Sequence, residues 1–283
     1  MTTRRALCRR ARTIMADGSV GAVIDEAKVE SERWARWFSS AQAGNNAELQ
    51  RLLASRRPED WKGHRYEWIA LKNDEERTAF HIAAENGHLE TIQLLVLQGA
   101  DVHDTDTARE TALHAAAENN HVRVMEWVVS RGVRIDAVST AGATALFRAA
   151  CRGHVDAVRY LVASRADVSL ADRDQCTALH VASRDDELQI AAHLLSGGAS
   201  VHSSDRMGAT PVTHAREDMT RLFWFHSARH NDVAGLRRLL ARQIGATGDE
   251  GCGARQRLTR CICICILPIC ICILPMCAYA CLP

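Results

Sequence analysis

Apolar residues recur through the middle of the chain at helical spacing. Over 89–96 they fall three or four positions apart, and the same spacing returns over 122–129. Each of these stretches predicts a helix with one buried face. A shorter run of small apolar residues precedes each one, as at 112–117, and predicts a helix that packs closely against its neighbours. Glycines such as Gly87 and Gly99 predict where the helices turn and end.

The pattern repeats every 33 residues. Motifs that open with threonine begin at Thr78, Thr111, Thr144, Thr177 and Thr210. The threonine hydroxyl can cap the first turn of a short helix. Because one helix pair cannot bury its own apolar faces, we expect several pairs to stack into an elongated solenoid.

Three further motifs keep the same register: an Ala-Ala step, Gly-His, and Gly-Ala-Asp-Val. Together with Thr-Ala-Leu-His, they make the chain resemble the ankyrin repeat family. The resemblance implies an all-α fold, an ankyrin-like repeat solenoid of stacked helix-turn-helix units with hairpin or turn fingers. It implies about five to six units over 31–242. Regular units are expected at 73–105, 106–138, 139–171 and 172–204.

Less regular segments flank these units. Residues 31–54 are predicted to form a degraded first unit, because 38–41 matches 80–83 at a spacing of 42 instead of 33. An aromatic insertion at 55–72 follows it. At 223–225, three adjacent aromatic residues are predicted to pack in the core or cap it. The other predicted segments are a disordered, basic then mixed N-terminal segment at 1–30, a degenerate end at 205–242, a Gly/Arg linker at 243–260 and a Cys/Ile/Leu/Pro low-complexity tail at 261–283.

The net charge of +1 averages three different regions. Every acidic residue lies between Asp17 and Glu250, whereas 1–16 carries five Arg and 252–283 carries three. The region between them therefore holds 27 basic and 34 acidic residues, a charge of −7. An acidic body lacks the positive face that nucleic acids require, so no nucleic-acid partner is expected.

Eight of the eleven cysteines lie in the last 32 residues. The body is therefore expected to be intracellular and reduced. Three interpretations of the uncharged run at 261–283 are considered. The favoured one is a translated nucleotide repeat from a wrong exon or reading frame, the second is a membrane tail anchor, and the third is acylation or thiol chemistry. Length favours a spanning helix, but Pro268, Pro275 and the two-residue Cys–Ile period oppose it. A membrane is expected as a partner only if this tail is genuine.

The first sixteen residues resemble a mitochondrial presequence in composition, since they are rich in arginine and contain no acid. Apolar residues are too sparse there for a strong amphipathic helix. A disordered basic tail is the favoured interpretation. The expected location of the protein is therefore cytoplasmic, with the mitochondrion and a tail-anchored membrane position as alternatives.

The spacing of the histidines suggests a metal, whereas the Cys-x-Cys spacing of the tail makes a zinc site there weak. His81, Glu85 and His88 return 33 residues later as His114, Glu118 and His121, and both residue types bind zinc. Positions seven apart on a helix are about 10 Å apart along its axis, too far for a shared ion. The family resemblance implies structural histidines that tie loops together by hydrogen bonds. Neither a metal nor a cofactor is expected, and without a catalytic motif no enzyme activity is expected.

The resemblance also implies where another protein would bind. We call the exposed ends of the first helices the palm, and the turns between units the fingers. The palm positions are Glu85, Asn86, Glu118, Asn119, Cys151, Arg152, Arg184 and Asp185. The finger positions are Asp74, Glu75, Arg77, Thr107, Glu110, Thr140, Arg173 and Asp174. The palm changes from acidic to arginine-rich along the array, so we hypothesise that it selects a partner segment of opposite polarity; an ordinary solvated face is an equal alternative.

The insertion is a second candidate for contact with a partner. Trp61, Tyr66 and Trp68 lie there beside an arginine, a combination that is typical of interaction hot spots. The favoured alternative is that these rings cover the degraded first unit.

The sequence thus predicts a non-catalytic interaction module or adaptor, a monomeric array that binds a partner protein through palm and fingers. Two alternatives stay open: a tail-anchored membrane adaptor, and a substrate-recruiting subunit of a larger enzyme complex. The fold alone identifies no partner.

Overall fold

The computed structural model of the chain describes residues 20–54, 69–230, 232, 236 and 239. Twelve helices lie in these ranges, and they follow one another in pairs, each pair being a first helix and a second helix. They are α1 (Val20–Gln42), α2 (Asn46–Ala54), α3 (Ala79–Glu85), α4 (Leu89–Leu97), α5 (Ala112–Glu118), α6 (Val122–Ser130), α7 (Ala145–Cys151), α8 (Val155–Ala163), α9 (Ala178–Arg184), α10 (Leu188–Ser196), α11 (Pro211–His214) and α12 (Glu217–Arg229).

The helices form two stacked layers. The odd-numbered helices are the first helices of their pairs, and each packs on the next first helix in chain order. The even-numbered helices are the second helices, and they pack on one another in the same way. Within the described residues the β-structure is limited to two isolated bridges, Lys72–Thr78 and Ala171–Thr177. The predicted all-α repeat solenoid is therefore confirmed. No helix in the described part of the chain combines the length and the apolar character needed to cross a membrane.

Local sequence signals explain the helix ends. Each first helix of the regular units has seven residues and follows a threonine in extended conformation, such as Thr78 with φ −84° and ψ 167°. Each second helix has nine residues and stops before a residue with positive φ. That residue is Gly99 and Gly132 in the first two regular units, but Arg165 in the third. Glycine adopts this conformation without steric cost, whereas an arginine adopts it only at a conformational cost.

A continuous core runs between the two layers. Small residues fill the positions where first helices meet, such as Ala116 and Ala117, and both are completely buried. Larger residues such as Leu113 and Met125 fill the space between the layers, and they are also completely buried. This division of small and large side chains lets the first helices approach closely while the second helices supply apolar volume.

The start of the array differs from the expectation. Helix α1 begins at Val20, so residues 20–30, which we expected to be disordered, extend the first helix of the degraded unit. Residues 20–30 contain no proline and include two Ala, two Glu and one Lys, which are strong helix formers, so a helix can extend through them. The expectations for residues 1–19 and 55–68, and those for the linker and the tail beyond 242, lie outside the described residues.

The register of the first unit also differs, by one position. Gly44 and Gly87 both have positive φ at the same turn, and they are 43 residues apart. Trp37 therefore takes the place of Phe80, and both rings are buried, whereas Phe38, which we matched to Phe80, is half-buried. The spacing of 42 was wrong because Trp37 and Phe38 are adjacent aromatic residues. Sequence similarity matched Phe38 to Phe80, whereas the equivalent buried ring is Trp37.

The degenerate end combines two helices of unequal length. Helix α11 has only four residues, because the backbone becomes extended at Ala215. Helix α12 then packs on α10 as a second helix. The three aromatic residues at the centre of α12 differ in burial. Phe223 is completely buried, Trp224 packs against the core, and Phe225 is 61% exposed. Core or cap packing was thus wrong for Phe225, because α12 exposes one face and Phe225 lies on it.

A pair of glycines in equivalent turns allows one test of the stacking. Gly142 and Gly208 both have φ +78°, but an added Cβ at Gly142 would lie 3.0 Å from the backbone N of Arg173, whereas nothing lies within 4 Å at Gly208. Gly208→Ala should cost about 1 kcal/mol, the conformational cost of a left-handed residue. Gly142→Ala should cost about 2–3 kcal/mol, because the next turn must also move. Urea unfolding measures both, and equal costs would contradict close contact between the turns.

Candidate partner-binding surface

Each finger is a five-residue turn that its own first residue holds closed. In the second regular unit, the carboxylate of Asp106 accepts hydrogen bonds from the backbone N–H groups of Ala108 and Glu110, both at 2.8 Å. The same two bonds recur at Asn73, Ser139, Asp172 and Asp205, again at intervals of 33 residues. These closing residues were not among the predicted finger positions. The signal that could have found them is a polar Asn, Asp or Ser five positions before every threonine of the repeat.

Successive fingers are joined by backbone hydrogen bonds. Thr107 N–H donates to the carbonyl of Glu75 at 3.1 Å, and Thr140 N–H donates to that of Ala108 at 2.7 Å. Equivalent bonds join the third finger to the fourth and the fourth to the fifth. The fingers therefore form one continuous row with fixed spacing. The side chains at Thr107 and Thr140 are exposed on this row.

One set of histidines ties each first helix to the finger that follows it. The Nδ1 atom of His81 accepts from the backbone N–H of Thr78 at 3.3 Å, so the ring proton is on Nε2, which donates to the carbonyl of Asp104 at 3.0 Å. His114 and His180 accept the equivalent bond at Nδ1, but their Nε2 atoms donate to the carbonyls of Ala143 and Ala209, which lie six positions later in the repeat than Asp104. Burial lowers the pKa of His81, His114 and His180 in each case. These residues are the structural histidines that the family resemblance implied.

A second set of histidines holds the palm. The Nε2 atom of His121 is 2.9 Å from the carbonyl oxygen of Glu85, in the unit before it. His88 and His154 make the equivalent contacts, also at 2.9 Å. A Cβ at Gly87 would lie 2.5 Å from the His121 ring, so only glycine leaves room for it. His81 thus contacts the next unit and His88 the preceding one, and the zinc arrangement considered for them does not form. The described residues contain no group of three potential metal ligands.

The predicted palm residues lie where expected, at the ends of the first helices. Glu85, Asn86 and Glu118 are half-buried, whereas the others are exposed, namely Asn119, Cys151, Arg152, Arg184 and Asp185. The side-chain amides of Asn86 and Asn119 donate to backbone carbonyls one turn back, at 2.8 Å and 3.0 Å. The palm is therefore ordered by its own hydrogen bonds.

The palm charges are paired within the array. Arg77 contacts Glu85 at 2.5 Å, and Arg152 Nε donates to Glu118 at 3.0 Å. The later palm charges also meet, since Arg184 contacts Asp185 at 3.2 Å. Because Glu118 belongs to the acidic early palm and Arg152 to the arginine-rich late palm, their ion pair partly cancels the charge difference between the two ends of the palm. This pairing weakens the polarity on which our gradient hypothesis depends.

Palm and fingers enclose one groove between the first two regular units. Asp106, Ala108 and Ala115 line it together with eight of the predicted positions. These eight are Glu75, Arg77, Glu85, Thr107, Glu110, Glu118, Asn119 and Arg152. Arg148, which the sequence analysis missed, pairs with Glu110 from the next unit. The other predicted positions do not line this groove, namely Asp74, Asn86, Thr140, Cys151, Arg173, Asp174, Arg184 and Asp185. The insertion residues Trp61, Tyr66 and Trp68 lie outside the described residues.

Neither cysteine of the described body has the environment of an activated thiol. Burial raises the pKa of the Cys151 thiol. Burial also raises the pKa of the Cys176 thiol, and the negative charges of nearby aspartates raise it further. A raised pKa leaves fewer thiolates at neutral pH, so these groups are poor nucleophiles.

Comparison with known proteins agrees with the repeat. The family model described as ankyrin repeats (3 copies) matches residues 38–139 and 135–205, which together are more than half of the chain. No curated protein matches the chain in a sequence search.

Proposed function

Because the chain belongs to the ankyrin repeat family, whose repeats generally mediate protein–protein interaction, we propose that it is a non-catalytic adaptor that binds a partner protein through its palm and fingers. The observation that carries the proposal is the continuous row of hydrogen-bonded fingers above an ordered palm. A surface of this kind loses little conformational freedom when a partner binds, so more of the contact energy remains as affinity.

The groove between the first two regular units is the centre of the proposed surface. Acidic groups from Glu75, Glu85, Glu110 and Glu118 line it, and arginines such as Arg152 contact some of them. Charge pairs of this kind position the groups that a partner meets and exclude partners of the wrong polarity. The finger residues Thr107 and Thr140 add small polar contacts next to the groove. We therefore propose that the partner presents a polar, charged segment to these two units.

Exchanging the two charges of one palm pair tests this proposal. In the double variant Glu118→Arg with Arg152→Glu, the pair can form again, so the fold is kept while the polarity of the palm is reversed. We expect the affinity for the partner to fall about tenfold or more, because both charges then oppose their counterparts. The partner is first identified by affinity purification and mass spectrometry, and the dissociation constants are then measured with purified proteins.

A matched exchange on the second-helix layer controls for the number of charges changed. Asp156 and Arg159 of α8 form an exposed pair at 2.7 Å, and neither residue lies in the palm or the fingers. Asp156→Arg with Arg159→Asp should leave the affinity unchanged. If the palm exchange also left it unchanged while the protein stayed folded, the partner would bind elsewhere and the palm proposal would be wrong.

A further inference from the structure

Two histidines stack at the end of the last described helix. His226 and His230 lie four residues apart, and the backbone N–H of His230 donates to the carbonyl of His226 at 3.1 Å, so the helical turn between them is closed. Their ring centroids are 4.5 Å apart, with 40° between the ring planes. His226 is half-buried and His230 is exposed. Among the described residues, neither ring makes a hydrogen bond to another unit, in contrast to the six histidines of the regular units.

This ring separation fits a shared metal ion. An ion at about 2.0–2.1 Å from one nitrogen of each imidazole, with the two bonds at right angles, places the ring centroids about 4.5 Å apart. The position also favours a cation, because the carbonyl end of a helix carries partial negative charge. Besides the burial that lowers the pKa of His226, two charged neighbours act on this residue: Asp232 raises its pKa, and Arg229 lowers it by a smaller amount.

We propose that His226 and His230 chelate a divalent first-row transition-metal ion, and that they bind Cu²⁺ most tightly. The described residues contain no group of three His, Cys, Asp or Glu side chains placed to hold a metal, so the proposed site has these two histidines as its ligands among them. Two imidazoles at a right angle suit the tetragonal geometry of Cu²⁺ better than the tetrahedral geometry of Zn²⁺, and Cu²⁺ is also the strongest binder of the divalent series.

Metal binding at this place would act on the least regular part of the array. The two ligands span one turn of α12, the helix that covers α10 at the end of the stack. An ion that binds both of them holds this turn closed, and any ligand that binds only the folded state stabilises that state. The site would thus make the end of the array responsive to the metal, independently of any partner at the palm.

Titration of the full-length, tag-free protein with Cu²⁺ tests the proposal, with electron paramagnetic resonance as the readout. The thiols are first alkylated with iodoacetamide, because eight cysteines at 252–283 would otherwise compete for copper. We expect one equivalent of Cu²⁺ to show hyperfine coupling to two imidazole nitrogens. His230→Asn should weaken binding on the order of a hundredfold, because a single imidazole lacks the effective concentration of the pair. His226→Asn should have the same effect.

Two other exposed histidines provide matched controls. His103→Asn and His214→Asn remove imidazoles that lie elsewhere on the surface, and both variants should retain the two-nitrogen signal and the affinity. Because His230 is exposed, His230→Asn should stay folded even if His226→Asn does not, and circular dichroism verifies this. If His230→Asn kept wild-type affinity, or if the wild type bound copper through one imidazole only, the rings would merely stack and the proposal would be overturned.

Discussion

Lowering the pH from 6.5 to 5 should destabilise the array steeply. Each of the three capping histidines, His81, His114 and His180, should remove up to about 1.4 kcal/mol of unfolding free energy per pH unit in this range. Acting together, they should remove up to about 4 kcal/mol per pH unit. The loss should end once the pH is below their folded-state pKa values.

The direction follows from the hydrogen bonds of these rings. Burial lowers the pKa of His114 in the folded protein, whereas in the unfolded chain an ordinary histidine has a pKa of about 6.5. Below pH 6.5 the unfolded chain therefore binds more protons than the folded protein, and stability falls as the pH falls. A second proton on the ring would also turn Nδ1 into a donor, facing the backbone N–H of Thr111 that donates to it now. Protonation thus breaks the cap of α5 as well as charging a buried group.

Urea unfolding between pH 5 and 7.5 at constant ionic strength measures this effect. The chain offers its own control, because Phe147 stands in the third regular unit where the others have histidine. His114→Phe should be less stable at pH 7.5, since it loses two hydrogen bonds, but its pH slope should be smaller by about one histidine's share. A slope equal to that of the wild type would show that the buried histidines do not cause the acid sensitivity.

Much of the fold is predictable because the short-range signals repeat. Thr78 and Thr111, with the glycines at 99 and 132, mark helix starts and stops that a single copy would leave ambiguous, and the structure has helices at these places. Where one of these signals is missing, prediction fails. The first unit has no threonine at its start, so nothing corrected the register error at Phe38.

The candidate surface is less predictable, because its geometry arises between units. Glu118 and Arg152 are 34 residues apart, and nothing in the local sequence of either residue says that they meet. Their contact follows only from the stacking of α5 on α7, which places positions about one period apart side by side. The closing residues of the fingers were missed for a different reason. Asn73 and Asp106 look like ordinary polar turn residues until their two backbone hydrogen bonds are seen.

Replacing Leu113 with alanine should cost about 2–5 kcal/mol of unfolding free energy. Leu113 is completely buried in α5, which packs on α3, on α7 and on its own partner α6. The cavity therefore weakens the array at its centre. Because each unit of a solenoid contacts only its neighbours, a weak central unit should also uncouple the two halves. We expect unfolding in urea to change from one transition to two.

Two probes with different locations should separate these transitions. Tryptophan fluorescence reports on the first unit through Trp37, on the weakened unit through Trp127 and on the last helix through Trp224, whereas circular dichroism reports on all helices. Leu97→Ala is the matched control, because Leu97 is 83% exposed and both residues are good helix formers, so it should change stability by no more than about 0.5 kcal/mol. If the two leucine variants cost the same, the array would not depend on its central unit. Coincident curves with a large loss of stability would instead show that the interfaces between units are strong enough to keep the whole stack cooperative despite the cavity.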